Sequence, residues 1–149
     1  MSYSLRLYHI VFRTKHSARV LDLEKSEELY KYIWGIIKNK NSYLYRINGM
    51  EDHIHILANL HSTISLADFV KSIKASSSKW IKQNNTFSNF TSWGTGYYAS
   101  SHSMNEKEHL INYIKNQREH HKVVSFKEEI SKLWEETFLS KDDKWFWVD

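Results

Sequence analysis

The sequence predicts an α+β fold: a ferredoxin-like (RRM-like) split βαβ sandwich with an antiparallel sheet and helices added after it. Three observations predict it. Four short runs have strand composition. Two stretches with helical apolar spacing fall between them, giving the order β-α-β-β-α-β. Two more helical stretches follow the fourth run.

Taken in order, residues 5–14 (LRLYHIVFRT) are rich in β-branched and aromatic residues and read as a strand. Residues 24–40 place Leu29, Ile33, Ile36 and Ile37 on one face of a helix. Residues 42–49 and 52–60 alternate as two strands of a hairpin, with Asn48-Gly49 as the turn signal. Residues 65–83 form the cleanest helix, with Ser65 as N-cap and Asp68 three residues later as its capping-box partner. Leu66, Phe69, Val70, Ile73, Ser77, Trp80 and Ile81 lie on one stripe. The polar stretch from Gln83 to Gly96 reads as a loop, and 96–101 as the fourth strand. Residues 104–121 predict one helix and 125–137 a shorter one, while the tail KDDKWFWVD fits no single element. The whole chain, 1–149, is expected to form one domain, with a core of about 5–121.

Composition excludes several chemistries. There is no cysteine, which removes disulfides, thiolate zinc sites, iron–sulfur clusters and cysteine nucleophiles. With 21 Lys+Arg against 17 Asp+Glu, the net charge of +4 suits a polyanionic partner. Nine histidines and an aromatic content of 15% add rings that stack on unpaired bases. No apolar run reaches membrane-spanning length and none has signal-peptide shape, so a soluble, cytoplasmic chain is expected.

Two constellations carry chemistry. In His53-Ile54-His55 the imidazoles share one face of a strand, where they can ligate one divalent cation. The competing reading is two surface histidines on a half-exposed strand. Tyr113 and Gln117 are one helical turn apart, pairing a potential nucleophile with an amide oxygen that can complete a hard cation's coordination. They also belong to the stripe Leu110, Tyr113, Ile114, Gln117, His121, which core packing alone would explain. Trp93-Gly94-Thr95-Gly96-Tyr97 marks a tight turn flanked by aromatics. The lysines of the 65–83 helix form a face that is either solvated or tracks phosphates. His120 and His121, with His109 and Glu119, raise a zinc alternative, but no zinc-binding spacing is present. These histidines read as surface or phosphate-contacting groups.

YHIVFRTK, EDHIHIL, WGTGYY and NYIKNQ occur in that order. This arrangement resembles the single-tyrosine HUH transposases of small bacterial insertion sequences, the TnpA type, including repeat-associated tyrosine transposases. The resemblance spans about residues 5–121. Glu51 stands where a proline commonly precedes the Asp-His-hydrophobic-His element. The resemblance implies that His53, His55 and Gln117 bind one Mg²⁺ or Mn²⁺. Tyr113 would then cleave single-stranded DNA, leaving a 5′-phosphotyrosine and a free 3′-hydroxyl. It further implies a hairpin beside the cleavage site, a homodimer, and a bacterial or archaeal cell. Lys71, Lys74, Lys79, Trp93, Tyr97 and Arg118 are the candidate DNA contacts. Three alternatives stand beside it: a domesticated relative that only binds hairpin DNA or RNA, an HUH nickase of another kind, and an unrelated RNA-binding module. Trp145, Phe146 and Trp147 have no role in the resemblance, and packing is their expected use.

Overall fold

The computed structural model describes residues 3–137 and 144–149. Its strands β1 (Leu7–Arg13), β2 (Tyr43–Gly49), β3 (His53–Asn59) and β4 (Tyr98–His102) form one antiparallel sheet in the order β2-β3-β1-β4. Helices α1 (Ser26–Asn39) and α2 (Leu66–Asn84) are the crossovers of the split βαβ pattern. This is the predicted α+β ferredoxin-like architecture. Ser65 caps α2 as the sequence predicts, its Oγ accepting from the Asp68 N–H at 3.1 Å. Among the described residues no helix is long and apolar enough to cross a membrane.

Strand alternation sorts the sheet into two unlike faces. Ile10, Phe12, Ile54, Ile56 and Ala58 point toward α1 and α2, where they meet Leu29, Ile33, Ile37, Phe69, Val70 and Ile73 in the main core. His9, Val11, His53, His55 and Leu57 point the other way. On β3 the residues from His53 to Ala58 are all buried, so this second face is covered too. Its cover comes from α3 (Lys107–Lys115), α4 (Gln117–His120) and α5 (Phe126–Glu136). Leu110 and Ile114 of α3 pack on Leu7 and Leu57, while Phe126 and Ile130 of α5 pack on Val11 and Tyr98.

Two local expectations are corrected. Asn48-Gly49 is not the hairpin turn: β2 runs through Gly49, which pairs with Ile54, and the chain turns at 50–52. The glycine is needed for close approach, because a Cβ there would lie 2.1 Å from the His53 carbonyl oxygen. Nor is 104–121 one helix. A 3₁₀ turn at Met104–Glu106 precedes α3, and the chain breaks at Asn116 before α4. Asn48 on β2 reaches across and donates its amide to the carbonyls of Ile114 and Lys115, both at 3.1 Å. A tertiary partner thus satisfies helix-end acceptors that local spacing could not assign.

The C-terminal segment packs, as expected. Phe146 is 2% exposed, beside Phe126 and Trp134, whereas Trp145 lies in solvent. Asp149 pairs with the buried Arg13 at 2.7 Å. Residues 141–143 of the tail lie outside the described residues.

Candidate active site

The pairing of β1 with β3 sets the floor of the site. Val11 lies opposite His55 and His9 opposite Leu57, so three imidazoles gather on the sheet's second face. His53 and His55 are 0% exposed and His9 is 1% exposed. They are therefore not the surface histidines of the competing reading. The α3–α4 break brings Tyr113 and Gln117 over them. Gln117 Oε1 stands 3.3 Å from His53 Nε2, and the Tyr113 ring centroid is 5.8 Å from that of His55.

Two of the four residues paired by the sequence thus come from β3 and two from the helices above it. Each β3 imidazole is fixed by its far nitrogen. His53 Nδ1 donates to Asp52 Oδ1 at 2.6 Å, and His55 Nδ1 meets His9 Nε2 at 2.8 Å. Both Nε2 atoms are thereby aimed at the same point, as second-neighbour contacts do for metal-binding histidines.

At that point lies a residue the sequence reading missed. Glu129 of α5 is 2% exposed, and its Oε1 is 3.3 Å from His55 Nε2, 3.0 Å from His121 Nε2 and 3.5 Å from His53 Nε2. Its Oε2 accepts from Gln117 Nε2 at 2.7 Å and from the Tyr113 hydroxyl. His121 is not the surface group its sequence context suggests: its side chain is 6% exposed and also meets Gln117 Oε1 at 3.0 Å. A signal for Glu129 existed: it occupies an apolar position of the stripe Phe126, Glu129, Ile130, Leu133. His9 likewise shares strand parity with Leu7 and Val11. Of the other members of the zinc alternative, half-buried His120 brings its Nε2 within 3.4 Å of Glu129 Oε2, while His109 and Glu119 are exposed and do not join.

Charge follows from this arrangement. Burial by itself would raise the Glu129 carboxyl, but the imidazoles of His55, His121 and His53 hold it far below the usual carboxylate range. Burial and the Glu129 carboxylate together push the Tyr113 phenol well above its ordinary value. Burial lowers His55 and lowers His9 strongly, His55 and His102 adding to the latter effect. His53 is raised, because its hydrogen bonds to Asp52 and Glu129 outweigh its burial. The site is a desolvated carboxylate ringed by basic nitrogens, beside a neutral phenol.

Residues 2–117 match the family described as "Transposase IS200 like". The chain belongs to that family of transposases. It is 26% identical over 121 residues to the transposases of insertion sequence IS200 from Salmonella typhimurium LT2 and Salmonella typhi. Each alignment covers 78% of this chain and 79% of the relative. The fold is shared with a protein of Deinococcus radiodurans R1 assigned as a transposase (TM-score 0.61, 23% identity, 78% of this chain and 95% of that one). It is also shared with a REP-associated tyrosine transposase bound to a REP hairpin (TM-score 0.59, 14% identity, 83% and 76%). The family match ends at Gln117, so His121, Glu129 and all of α5 lie beyond it.

Of the six candidate DNA contacts of this family member, Lys71, Lys74, Trp93 and Tyr97 line one groove beside α2, Lys79 lies on the same helix, and Arg118 lies elsewhere. Trp93 is buried in the main core, its indole N–H donating to Ser77 Oγ at 2.9 Å. Lys74 is committed as well: its ammonium donates to the carbonyls of Gly94, Thr95 and Gly96 at 2.8, 3.1 and 2.9 Å. Burial, with Arg13 nearby, brings its pKa down to about 8. Both engagements have the same cause, the packing of the 93–97 loop on α2. Lys71 and Tyr97 line a shallow groove there, and Lys79 is exposed on the same helix. All of these lie in the layer across the sheet from the histidines. Arg118 stands apart from them. It lines a groove of about 580 Å³ at the β2 edge with Lys31, Trp34, Tyr43, Tyr45 and Arg46.

Proposed function

We propose that this transposase cleaves and rejoins single-stranded DNA through Tyr113, with one Mg²⁺ or Mn²⁺ held by His53, His55 and Gln117. One observation carries the proposal: Tyr113 and Gln117 meet His53 and His55 in one buried pocket, although 58 or more residues separate the pairs in sequence. The donor set fits a divalent ion, because His53 and His55 turn their Nε2 atoms inward and Gln117 adds a neutral oxygen. When bound, such an ion polarises the scissile phosphate and neutralises developing charge.

The chain's own groups supply the rest. Tyr113 Oη attacks phosphorus, and the bond from phosphorus to the departing 3′ oxygen breaks. The phenol proton is lost to solvent as the bond forms, and the departing oxygen takes a proton from solvent. A 5′-phosphotyrosine results. Its bond energy is retained, so a later 3′-hydroxyl reverses the step and joins strands. The incoming strand lies in the β2-edge groove, where the exposed rings of Trp34 and Tyr43 stack bases and Lys31, Arg46 and Arg118 follow phosphates. A hairpin next to the cleaved bond follows from the likeness to the REP-bound relative. A homodimer remains part of the proposal, with the nucleophile set beside its own chain's histidines.

The test uses labelled single-stranded DNA from the flanks of the gene, with Mn²⁺, on a denaturing gel. A protein–DNA adduct lost with Tyr113→Phe and with chelator is expected. Binding without any adduct on every flank would replace strand transfer by hairpin binding alone.

A further inference from the structure

We infer that the metal centre extends past the family-matched segment: Glu129 and His121 ligate the same cation as His53 and His55. The inference rests on the proposed metal dependence and adds two ligands to it.

Tautomers carry the argument. Three imidazoles face one point, and each has its Nδ1 beside an acceptor: Asp52 Oδ1 at 2.6 Å for His53, His9 Nε2 at 2.8 Å for His55, and the Val124 carbonyl at 2.8 Å for His121. A proton on Nδ1 leaves a lone pair on each Nε2. Those lone pairs converge on Glu129 Oε1, and Gln117 Oε1 joins them within 3.3 Å of His53 and 3.0 Å of His121. Acceptors do not gather around acceptors unless positive charge lies between them. A divalent ion supplies it, because one ion serves every acceptor at once. The Nε2 atoms of His53, His55 and His121 and a Glu129 oxygen all lie within 4.8 Å of one another.

The geometry also explains why α5 docks as it does. Its apolar residues Phe126 and Ile130 pack on Val11 and Tyr98, and they bracket Glu129, which faces the histidines. His53 stacks on Phe126 with centroids 3.7 Å apart and planes at 6°. A carboxylate buried in this way supplies the anionic ligand that two imidazoles and an amide lack. Three imidazoles, one carboxylate and the amide oxygen then form the protein-ligand set.

The test measures Mn²⁺ binding by the full chain without DNA, by calorimetry and by the loss of the free-ion electron paramagnetic resonance signal. Glu129→Gln, Glu129→Ala and His121→Ala each weaken Mn²⁺ by about tenfold or more, and His53→Ala does so as the reference. Wild-type binding that is lost in His53→Ala but unchanged or tightened in Glu129→Ala overturns the inference alone. No wild-type binding at millimolar Mn²⁺ overturns the inference together with the metal part of the proposed function. If the Glu129 variants fail to fold, pulsed resonance on wild-type protein decides instead. Couplings from three imidazole nitrogens support the assignment, and couplings from two overturn it.

Discussion

Asp52 offers the sharpest test of how the site is held. It lies next to His53 in sequence, and its Oδ1 accepts from His53 Nδ1 at 2.6 Å, with Asp52 20% exposed. A hydrogen bond to an ionised group contributes about 1.5–3 kcal/mol. Each 1.4 kcal/mol is about tenfold in an equilibrium constant. Removing the carboxylate in Asp52→Ala frees the His53 ring to rotate and to carry its proton on Nε2. Mn²⁺ affinity is then expected to fall about 10- to 100-fold. Asp52→Asn keeps an acceptor oxygen and so the tautomer, and its loss is expected near the lower end. The turn itself should survive, because Thr14 N–H bonds the Asp52 main-chain carbonyl at 2.9 Å. Calorimetric titration with Mn²⁺ reads the effect, with circular dichroism as the check on folding. Asp52→Ala binding Mn²⁺ within twofold of wild type would refute the claim that this contact orients the ligand.

Four further outcomes are expected. Phe146→Ala, which empties a buried position against Phe126, Trp134 and Trp147, should cost about 3–5 kcal/mol and lower Tm by about 6–20 °C; a drop below about 3 °C in a thermal melt would place the C-terminal segment outside the core. Lys74→Met strips three carbonyls of their donor, so stability should fall by about 1.5–3 kcal/mol while the salt slope of single-stranded DNA binding stays fixed. Arg118→Gln should do the reverse, lowering that slope by about 0.7 for one lost phosphate contact. Finally, the folded chain holds His9 well below its ordinary pKa; as pH falls below about 6.5 the unfolded chain takes a proton that the fold refuses, so stability drops on acidification. His53, raised in the fold, works the other way. Its contribution is full below about 6.5 and lost as pH rises through the folded value. Melts of metal-free protein between pH 7.5 and 5.5 should show a smaller acid loss in His9→Asn than in wild type, and an equal loss would contradict the assignment.

Local physics made much of this protein legible in its sequence. Alternation placed Ile54 and Ile56 on the core face and His53 and His55 on the other, since side chains on a strand alternate strictly. Helical period set Tyr113 and Gln117 on one face, and Ser65 announced the start of α2. The order of six elements gave the fold, because short connections between them leave few ways to lay them down. What lay beyond reach were partners distant along the chain. Asn48 ends α3 from β2, so a 104–121 helix could not be seen to break. Lys74 and Trp93 looked available because a sequence does not show the loop that engages them. Gly49 read as a turn residue because its tight approach to the His53 carbonyl exists only in the paired hairpin.

The largest difference concerns Glu129 and His121. By itself the sequence determined the fold, the two β3 histidines, and the Tyr113–Gln117 pair, because each depends on spacings of two or four residues. Only the tertiary structure decided what those groups face. The docking of α5 is set by Phe126 and Ile130 packing on Val11 and Tyr98, contacts more than a hundred residues apart for Val11. Burial from that packing gives the Glu129 carboxylate its force, since a charge removed from water must find its compensation in the side chains around it.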